Sequence, residues 1–445
     1  MRRLIPLSIV VVGMLAWPLQ VSAAVAGAVR AAQERPAVDV VEVEGVIDRA
    51  MANYLRDALL EAEAEGHTVV IQLSTSGALD GETGHELART VAELRVPVLV
   101  WVGVPGATAQ GAGAEIALAS SLPTVSPGSG IGPLNPASLR TDDPASSQQI
   151  AEVQAWAASR DRTVPEPLLD GTLTAQQALD AGVIPELEPD APTPGSVIEF
   201  LKQADGMTVE TGAGPVVLRT APSASPEEGA GVSLLYRELG AWSGILHAVS
   251  VPAAVWLLLV LAFAGLAFEL TQPGFGFAGI SGLIALGFAL YGMWSVPPSW
   301  LGLALFLAGT ALLIADVQLR RLGKLTALGM GGFVGGSFLL YLDVAPAIRI
   351  PAWLIVSVAV LTFLYYGYGL TIAQQSYQRI VSTQQGLVGL TGETRNDLDP
   401  EGAVHVKGTL WRAKSVGESI PAGTRVRVRG VEGMVLRVEA EPEVD

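Results

Sequence analysis

The sequence predicts three structural classes in one chain: an α/β domain on a parallel sheet, an α-helical membrane bundle and a small all-β barrel. Three observations carry this. Strand-length apolar runs alternate with helical periodicity from Val38 to Val125 in a βαβαβ rhythm, which requires helical crossovers and parallel pairing. Five apolar stretches then lie between Leu246 and Leu370, each close to the ~20 residues that cross a bilayer. Short β-prone runs broken by Gly, Pro or Asp fill Gly386–Val438, the pattern of a closed barrel such as an OB-fold.

Composition agrees. Hydrophobic residues are 50% of the 445, charged residues 16%, and mean hydropathy is +0.43, too apolar for an ordinary soluble protein. There is no cysteine, which removes disulfides, thiol chemistry and Cys-based zinc sites. The four histidines (His67, His85, His247 and His405) show no ligand spacing, so neither a metal site nor a cofactor is expected. Of the net charge of −16, the stretch Gly27–Trp242 alone carries −18, a surface that repels phosphate and argues against nucleic acid as a partner.

The elements follow in order. Met1–Ala23 reads as a signal peptide, with Arg2 and Arg3 before an apolar core and small residues at Val21-Ser22-Ala23; an uncleaved anchor is the alternative. Val38–Glu44 alternates as an edge strand would. Ile47–Gly66 has helical apolar spacing and a glycine stop. Val69–Leu73 is a buried strand, Gly81–Leu94 a helix, Pro97–Val104 a strand and Ala114–Ser120 a short helix. Leu122–Val125 is a further strand, and helices are expected at Gln149–Ser159 and at Leu173–Gly182, with Thr174 as N-cap. The α/β domain therefore spans 27–205, with 206–244 as a connector holding a small β element near Val216–Leu218.

Leu246–Phe268, Phe275–Val296, Trp300–Val317, Leu325–Leu342 and Ile350–Leu370 give five spans in a membrane region of 245–371, with four or six left open. The basic loop Arg320-Arg321-Leu322-Gly323-Lys324 marks the cytoplasmic side. An exported N-terminus and five spans place that loop and the C-terminal barrel (380–440) inside, in a multi-pass plasma-membrane topology. Glu269 and Asp316, near span ends, are expected to snorkel to the interface. Trp411 is the barrel's one aromatic, too few for a base-stacking platform.

The stretch that organises the α/β domain is Val104–Gly113, VPGATAQGAG, which joins a strand to a helix. Such a turn exposes one side chain beside the free N–H groups of a helix start, a build that nucleophilic enzymes use. This one offers no Ser or Cys where the nucleophile belongs.

Three motifs carry a family resemblance. They are Phe268-Glu269-Leu270-Thr271-Gln272-Pro273-Gly274-Phe275-Gly276 with Gly279-Ile280-Ser281-Gly282; the barrel pattern Gly389, Leu398–Gly402, Gly408, Trp411, Ile420, Gly423 and Leu436; and Leu173–Ile184. Together they resemble the long-form NfeD membrane proteins, in which a ClpP-class, crotonase-like serine protease domain precedes a transmembrane region and an OB-fold. The resemblance implies a homo-oligomer, and partners among stomatin- or flotillin-type membrane proteins and peptide or protein segments.

It also implies a Ser–Lys site, and this sequence departs from it. Where the family's first turn reads Asp-Thr-Pro-Gly-Gly, this chain has Ser74-Thr75-Ser76-Gly77-Ala78; Gly77, Ala78 and Ala112 retain N–H groups for an oxyanion hole. The family's serine position is Gly111, and the lysine position falls at Ala145, Ser146 or Ser147. Both halves of the dyad are missing, and the one lysine of the exported domain, Lys202, lies beyond the closing motif. Thr108, Ser120, Ser121, Ser126 and Ser129 are the nearest hydroxyls, and Glu115 is the carboxylate a crotonase-type reaction would use as base. The expectation is a non-catalytic protease homologue, a pseudoenzyme that acts in membrane-protein binding or scaffolding. The alternative is a membrane-anchored serine endopeptidase with a relocated nucleophile.

Overall fold

A computed structural model describes residues 37–189, 192–221, 232–271, 276–319, 324–370 and 386–441. The signal stretch, the loop residues Arg320–Gly323 and Pro273-Gly274-Phe275 lie outside the described residues. The chain forms two compact units. One takes in the chain up to Leu259 with Ala285–Gly302 and Phe338–Pro351; the other holds Val260–Ile284, Leu303–Ser337 and the chain from Ala352 on.

In the first unit, β1 (Ala37–Ile47), α1 (Arg49–Glu65), β2 (Thr68–Ala78), α2 (Gly81–Glu93) and β3 (Val98–Val102) follow the βαβαβ order, with β1–β2 and β2–β3 both parallel. Local chemistry sets the ends of α1. The Asp48 carboxylate accepts the Met51 N–H at 2.8 Å, and Gly66 at φ 74° closes the helix in the left-handed region. Its buried face is Met51, Leu55, Ala58, Leu59 and Ala62, the i, i+3/i+4 stripe that drives the helix onto the sheet.

The chain continues through β4 (Thr108–Ala109), α3 (Ala112–Ala119), β5 (Leu122–Val125), β6 (Gly130–Ile131), α4 (Ser147–Ala158), α5 (Pro167–Asp170), β7 (Leu173–Thr174), α6 (Ala175–Asp180) and α7 (Val197–Ala204). Thr174 caps α6 in a full capping box with Gln177. The sheet forks along β2. Val69–Leu73 pairs with β3, whereas Thr75 pairs with Ala109 of β4, which leads on to β6 and β7. That fork opens the mouth in which the β4–α3 turn sits.

Two expectations change here. The stretch after 205 holds the expected small β element, as a hairpin of β8 (Thr208–Thr211) and β9 (Gly214–Val217), but it also adds β10 (Ser233–Arg237) to the main sheet parallel to β1. Consequently β1 is an inner strand rather than an edge. Tyr54 and Asp39 hold β10 in place, the hydroxyl donating to the Arg237 carbonyl at 2.6 Å and the buried carboxylate accepting from the Arg237 guanidinium at 2.8 Å. α8 (Ala241–Ala248) follows, with Trp242 and Ile245 exposed and no buried residue.

The apolar helices are α9 (Pro252–Thr271), α10 (Phe277–Ser295), α11 (Trp300–Leu319), α12 (Lys324–Leu340) and α13 (Ala352–Leu364), the last running on as a π-helical turn through Gly369. Among the described residues, four stretches are long and apolar enough to cross a membrane: Pro252–Leu270, Phe277–Ser295, Trp300–Gln318 and Pro346–Gly369; Lys324–Leu340 is apolar but shorter. Within the first unit the loop after α12 reaches the α/β domain, the Ala345 N–H donating to the Leu139 carbonyl at 2.9 Å.

In the second unit, Gly309 of α11 lies against Gly332 and Phe333 of α12 so closely that a Cβ there would sit 2.2 Å from the Phe333 nitrogen. Small residues of this kind let membrane helices touch backbone to backbone. Asp316 does not snorkel. It is 6% exposed and accepts the Thr326 hydroxyl from the next helix, since a buried carboxylate must find a donor. Glu269 accepts the Gly279 N–H at 3.2 Å. The barrel closes as β11 (Thr391–Thr394), β12 (Glu401–Val406), β13 (Thr409–Ser415), β15 (Val435–Ala440) and β14 (Arg425–Glu432), with β14 returning to β11. Its core is Val404, Val406, Ala413, Val426, Leu436 and Val438, inward positions of those strands, with Leu398 from the β11–β12 connection.

Candidate functional site

The β4–α3 turn is held from both sides. The Gln110 N–H donates to the Thr75 carbonyl at 3.0 Å, and the Gly111 N–H to the Pro133 carbonyl at 2.7 Å. Gly111 sits at φ 51°, ψ −123°, as N-cap of α3, a backbone conformation that side chains other than hydrogen occupy only under strain. Nucleophile elbows hold their serine on a sharp, strained strand-to-helix turn of this kind. Here the strained position carries no side chain, and there is no room for one: a Cβ on Gly111 would lie 2.9 Å from the Pro136 carbonyl oxygen and 3.4 Å from the Gly77 Cα. The loop after β6 closes over the place where a nucleophile would stand.

That loop also holds the expected base positions. The Asn135 side-chain oxygen accepts the Ala145 N–H at 2.8 Å. Ser146 is the N-cap of α4, its hydroxyl accepting the Gln149 N–H at 3.2 Å in a capping box. Ser146 and Ser147 are exposed. The expected serine position, Gly111, and the expected lysine position, Ala145, thus meet the same loop, through adjacent Pro136 and Asn135.

Of the three expected oxyanion donors, Gly77, at φ 118°, gives its N–H to the Thr75 hydroxyl at 3.1 Å. Ala78 ends β2 opposite Ile47, and Ala112 opens α3. The side chains of Ala78 and Ala112 crowd Gly84 of α2, where a Cβ would come within 2.8 and 2.5 Å of theirs.

The candidate hydroxyls are engaged or buried. Ser120 donates to the Ala117 carbonyl at 2.7 Å and Ser129 to the Val104 carbonyl at 2.8 Å; Ser121 accepts the Val98 N–H at 3.4 Å, and Ser126 is 1% exposed. Thr108 is half-buried in β4. Among the described residues of the α/β domain, no serine or threonine hydroxyl bonds to a histidine or lysine.

Glu115 faces away from the turn. It is 2% exposed and meets the His85 Nδ1 at 2.8 Å, while Glu152 of α4 takes the Nε2 at 3.2 Å and the Arg89 guanidinium at 2.8 Å. The Trp156 ring stacks on His85 at 5.1 Å. The Glu115 hydrogen bond raises the His85 pKa against the opposing effect of burial, and Arg89 leads the groups that hold Glu152 down to about 2. With both ring nitrogens on carboxylates, His85 has no nitrogen to offer a nucleophile; it ties α2, α3 and α4 together. Arg162 does similar work at the other end of α3, donating to the Ala117 carbonyl at 3.3 Å and to that of Ser120, with burial pushing its pKa down to about 9. Sequence reasoning missed this histidine cluster, whose members lie 30 and 67 residues apart.

The fold defines the class: an α/β domain on a largely parallel sheet, followed by apolar helices long enough to cross a membrane and a closed barrel. Residues 253–371 match the NfeD integral membrane domain and residues 384–439 the NfeD-like C-terminal, partner-binding domain. The chain thus carries two segments that match NfeD domain models. It is 26% identical over 396 residues to "Membrane-bound protease PH1510" of Pyrococcus horikoshii, covering 84% of this chain and 86% of that one. It is 24% identical over 440 residues to "Membrane protein NfeD1b" of Bacillus subtilis, covering 90% and 92%. Among solved structures it is similar to the 1510-N membrane protease specific for a stomatin homologue from Pyrococcus horikoshii: identity 22%, TM-score 0.39, with 48% of this chain and 98% of that chain covered.

Proposed function

We propose that the α/β domain is a non-catalytic binding module, and that the protein scaffolds a stomatin- or flotillin-type membrane partner. The observation that carries this is Gly111: an elbow kept in its strained conformation, without a side chain and roofed by the Pro136 carbonyl. The absence of lysine at Ala145–Ser147 points the same way. A forked sheet that has lost its dyad still offers strand edges to an extended segment, the β-addition mode of peptide recognition. The stomatin class of partner comes from the relatives, one of which is described as specific for a stomatin homologue. We read the α/β domain as extracytoplasmic and the barrel as cytoplasmic; the Ala345–Leu139 hydrogen bond supports an odd number of spans by tying the loop after α12 to the α/β domain.

The test is to incubate the full-length protein in detergent with a peptide series covering a stomatin homologue, then follow retention and peptide mass together. Retention of an intact peptide is the expected result. A peptide cut at a defined bond would replace this reading with a peptidase whose nucleophile has moved, and no retained peptide would remove the binding role.

A further inference from the structure

We propose that the first unit carries a binding site for the headgroup of an anionic phospholipid, in the cavity lined by Arg49, Asp80, Arg140, Tyr291 and Trp294. The cavity is about 380 Å³, within the ~300–1,000 Å³ usual for ligand sites. It sits where α1 and the loop after β6 meet the last turns of α10, a helix long and apolar enough to cross the bilayer. Trp294 is 74% exposed there, and Trp242 of α8 and Trp300 at the start of α11 are also exposed. Exposed tryptophan and tyrosine near the ends of membrane helices mark the level of lipid headgroups. The protein's own bilayer therefore brings phospholipid to this cavity.

The charges choose the kind of headgroup. The Asp80 carboxylate is taken up by the Thr83 N–H and hydroxyl and by one Arg140 amine at 2.9 Å. Asp48, which also lines the cavity, is held by the Met51 N–H and His247. Arg49 is exposed and makes no hydrogen bond or ion pair among the described residues. Asp80 and one Asp48 oxygen are taken up within the protein and the other Asp48 oxygen is buried, so Arg49 is left without a partner beside the free arms of Arg140. Two guanidinium forks suit a phosphodiester, and the exposed acid beside them, Asp80, is already engaged by Arg140 and Thr83. In a domain whose balance is strongly acidic, an unpaired arginine at the membrane boundary attracts an anion that surrounding charge would otherwise repel.

The experiment uses the full-length protein, delipidated in detergent and titrated with phosphatidylglycerol, phosphatidylcholine or inorganic phosphate, with bound adducts read by native mass spectrometry. Phosphatidylglycerol is expected to bind in preference to both other probes. Arg49→Gln should weaken it about fivefold and the Arg49→Gln/Arg140→Gln pair about 25-fold, at roughly one surface lipid contact per arginine. Arg95→Gln, on a residue paired with Glu63 away from the cavity, should leave binding unchanged. Because Arg49 holds no partner, Arg49→Gln tests the site without disturbing the fold. Unchanged binding in Arg49→Gln, equal binding of phosphatidylcholine, or inorganic phosphate binding as well as the lipid would each overturn the proposal.

Discussion

Replacing Gly111 by alanine tests whether the elbow is closed. Two penalties combine at this position. A side chain at φ 51°, ψ −123° costs about 1–3 kcal/mol in backbone strain. A Cβ held 2.9 Å from the Pro136 carbonyl oxygen adds about 1–3 kcal/mol of overpacking, because a backbone carbonyl yields less readily than a side-chain tip. Gly106 separates the two: it lies at φ 92° in the same turn region, with nothing within 4 Å of a Cβ. Gly106→Ala therefore carries backbone strain alone. In thermal unfolding of the full-length protein, Gly111→Ala should lower the transition of the α/β domain by about 5–20 °C, at ~2–4 °C per kcal/mol, and clearly more than Gly106→Ala does. Hydrogen exchange of residues 104–120 assigns the loss to this turn. Equal shifts for the two variants would mean that the loop does not roof Gly111, and the argument from closure would fail.

Two further predictions concern the braces around α3. His85→Ala leaves the buried Glu115 carboxylate without its cation and should destabilise by about 3–5 kcal/mol. The same pair has a pH signature: the His85 pKa is raised in the fold, so its stabilisation is complete below the unfolded value near 6.5 and is lost as pH rises through the folded pKa. Thermal midpoints that stay level from pH 6 upward would contradict the ion pair. Arg162→Met removes the donors to the Ala117 and Ser120 carbonyls at the end of α3 and should cost about 1–3 kcal/mol, whereas a midpoint within error of the parent would show that the guanidinium contributes nothing there.

What could be read from the residues was local or periodic. The stop of α1 at Gly66, the Thr174 cap and the alternating interior of the barrel follow from chemistry within a few positions. The inner place of β1 was hidden, because Ser233–Arg237 pairs with Ala37–Val41 across almost two hundred positions, and parallel pairing leaves no turn to announce it. Asp316 misled for a related reason: its donor, Thr326, stands on the next helix, so a span-end carboxylate looked free to reach water. At the site, the expectation of a missing serine and lysine rests on residue types at positions that the resemblance supplies. The Pro136 carbonyl over Gly111 was not legible in the sequence, since a backbone oxygen contact can be made by any residue and has no signature. Glu115 has the sequence position of a free acid beside the turn, and its partner His85, 2.8 Å away, stands 30 residues earlier on another helix.

The central claim, that this elbow supports no covalent chemistry, is tested most directly with a fluorophosphonate probe on the folded, full-length protein, followed by peptide mapping. The account predicts no labelled serine in the α/β domain under conditions that fully label an active serine peptidase. Stoichiometric labelling of one serine, lost when that serine is changed to alanine, would contradict it.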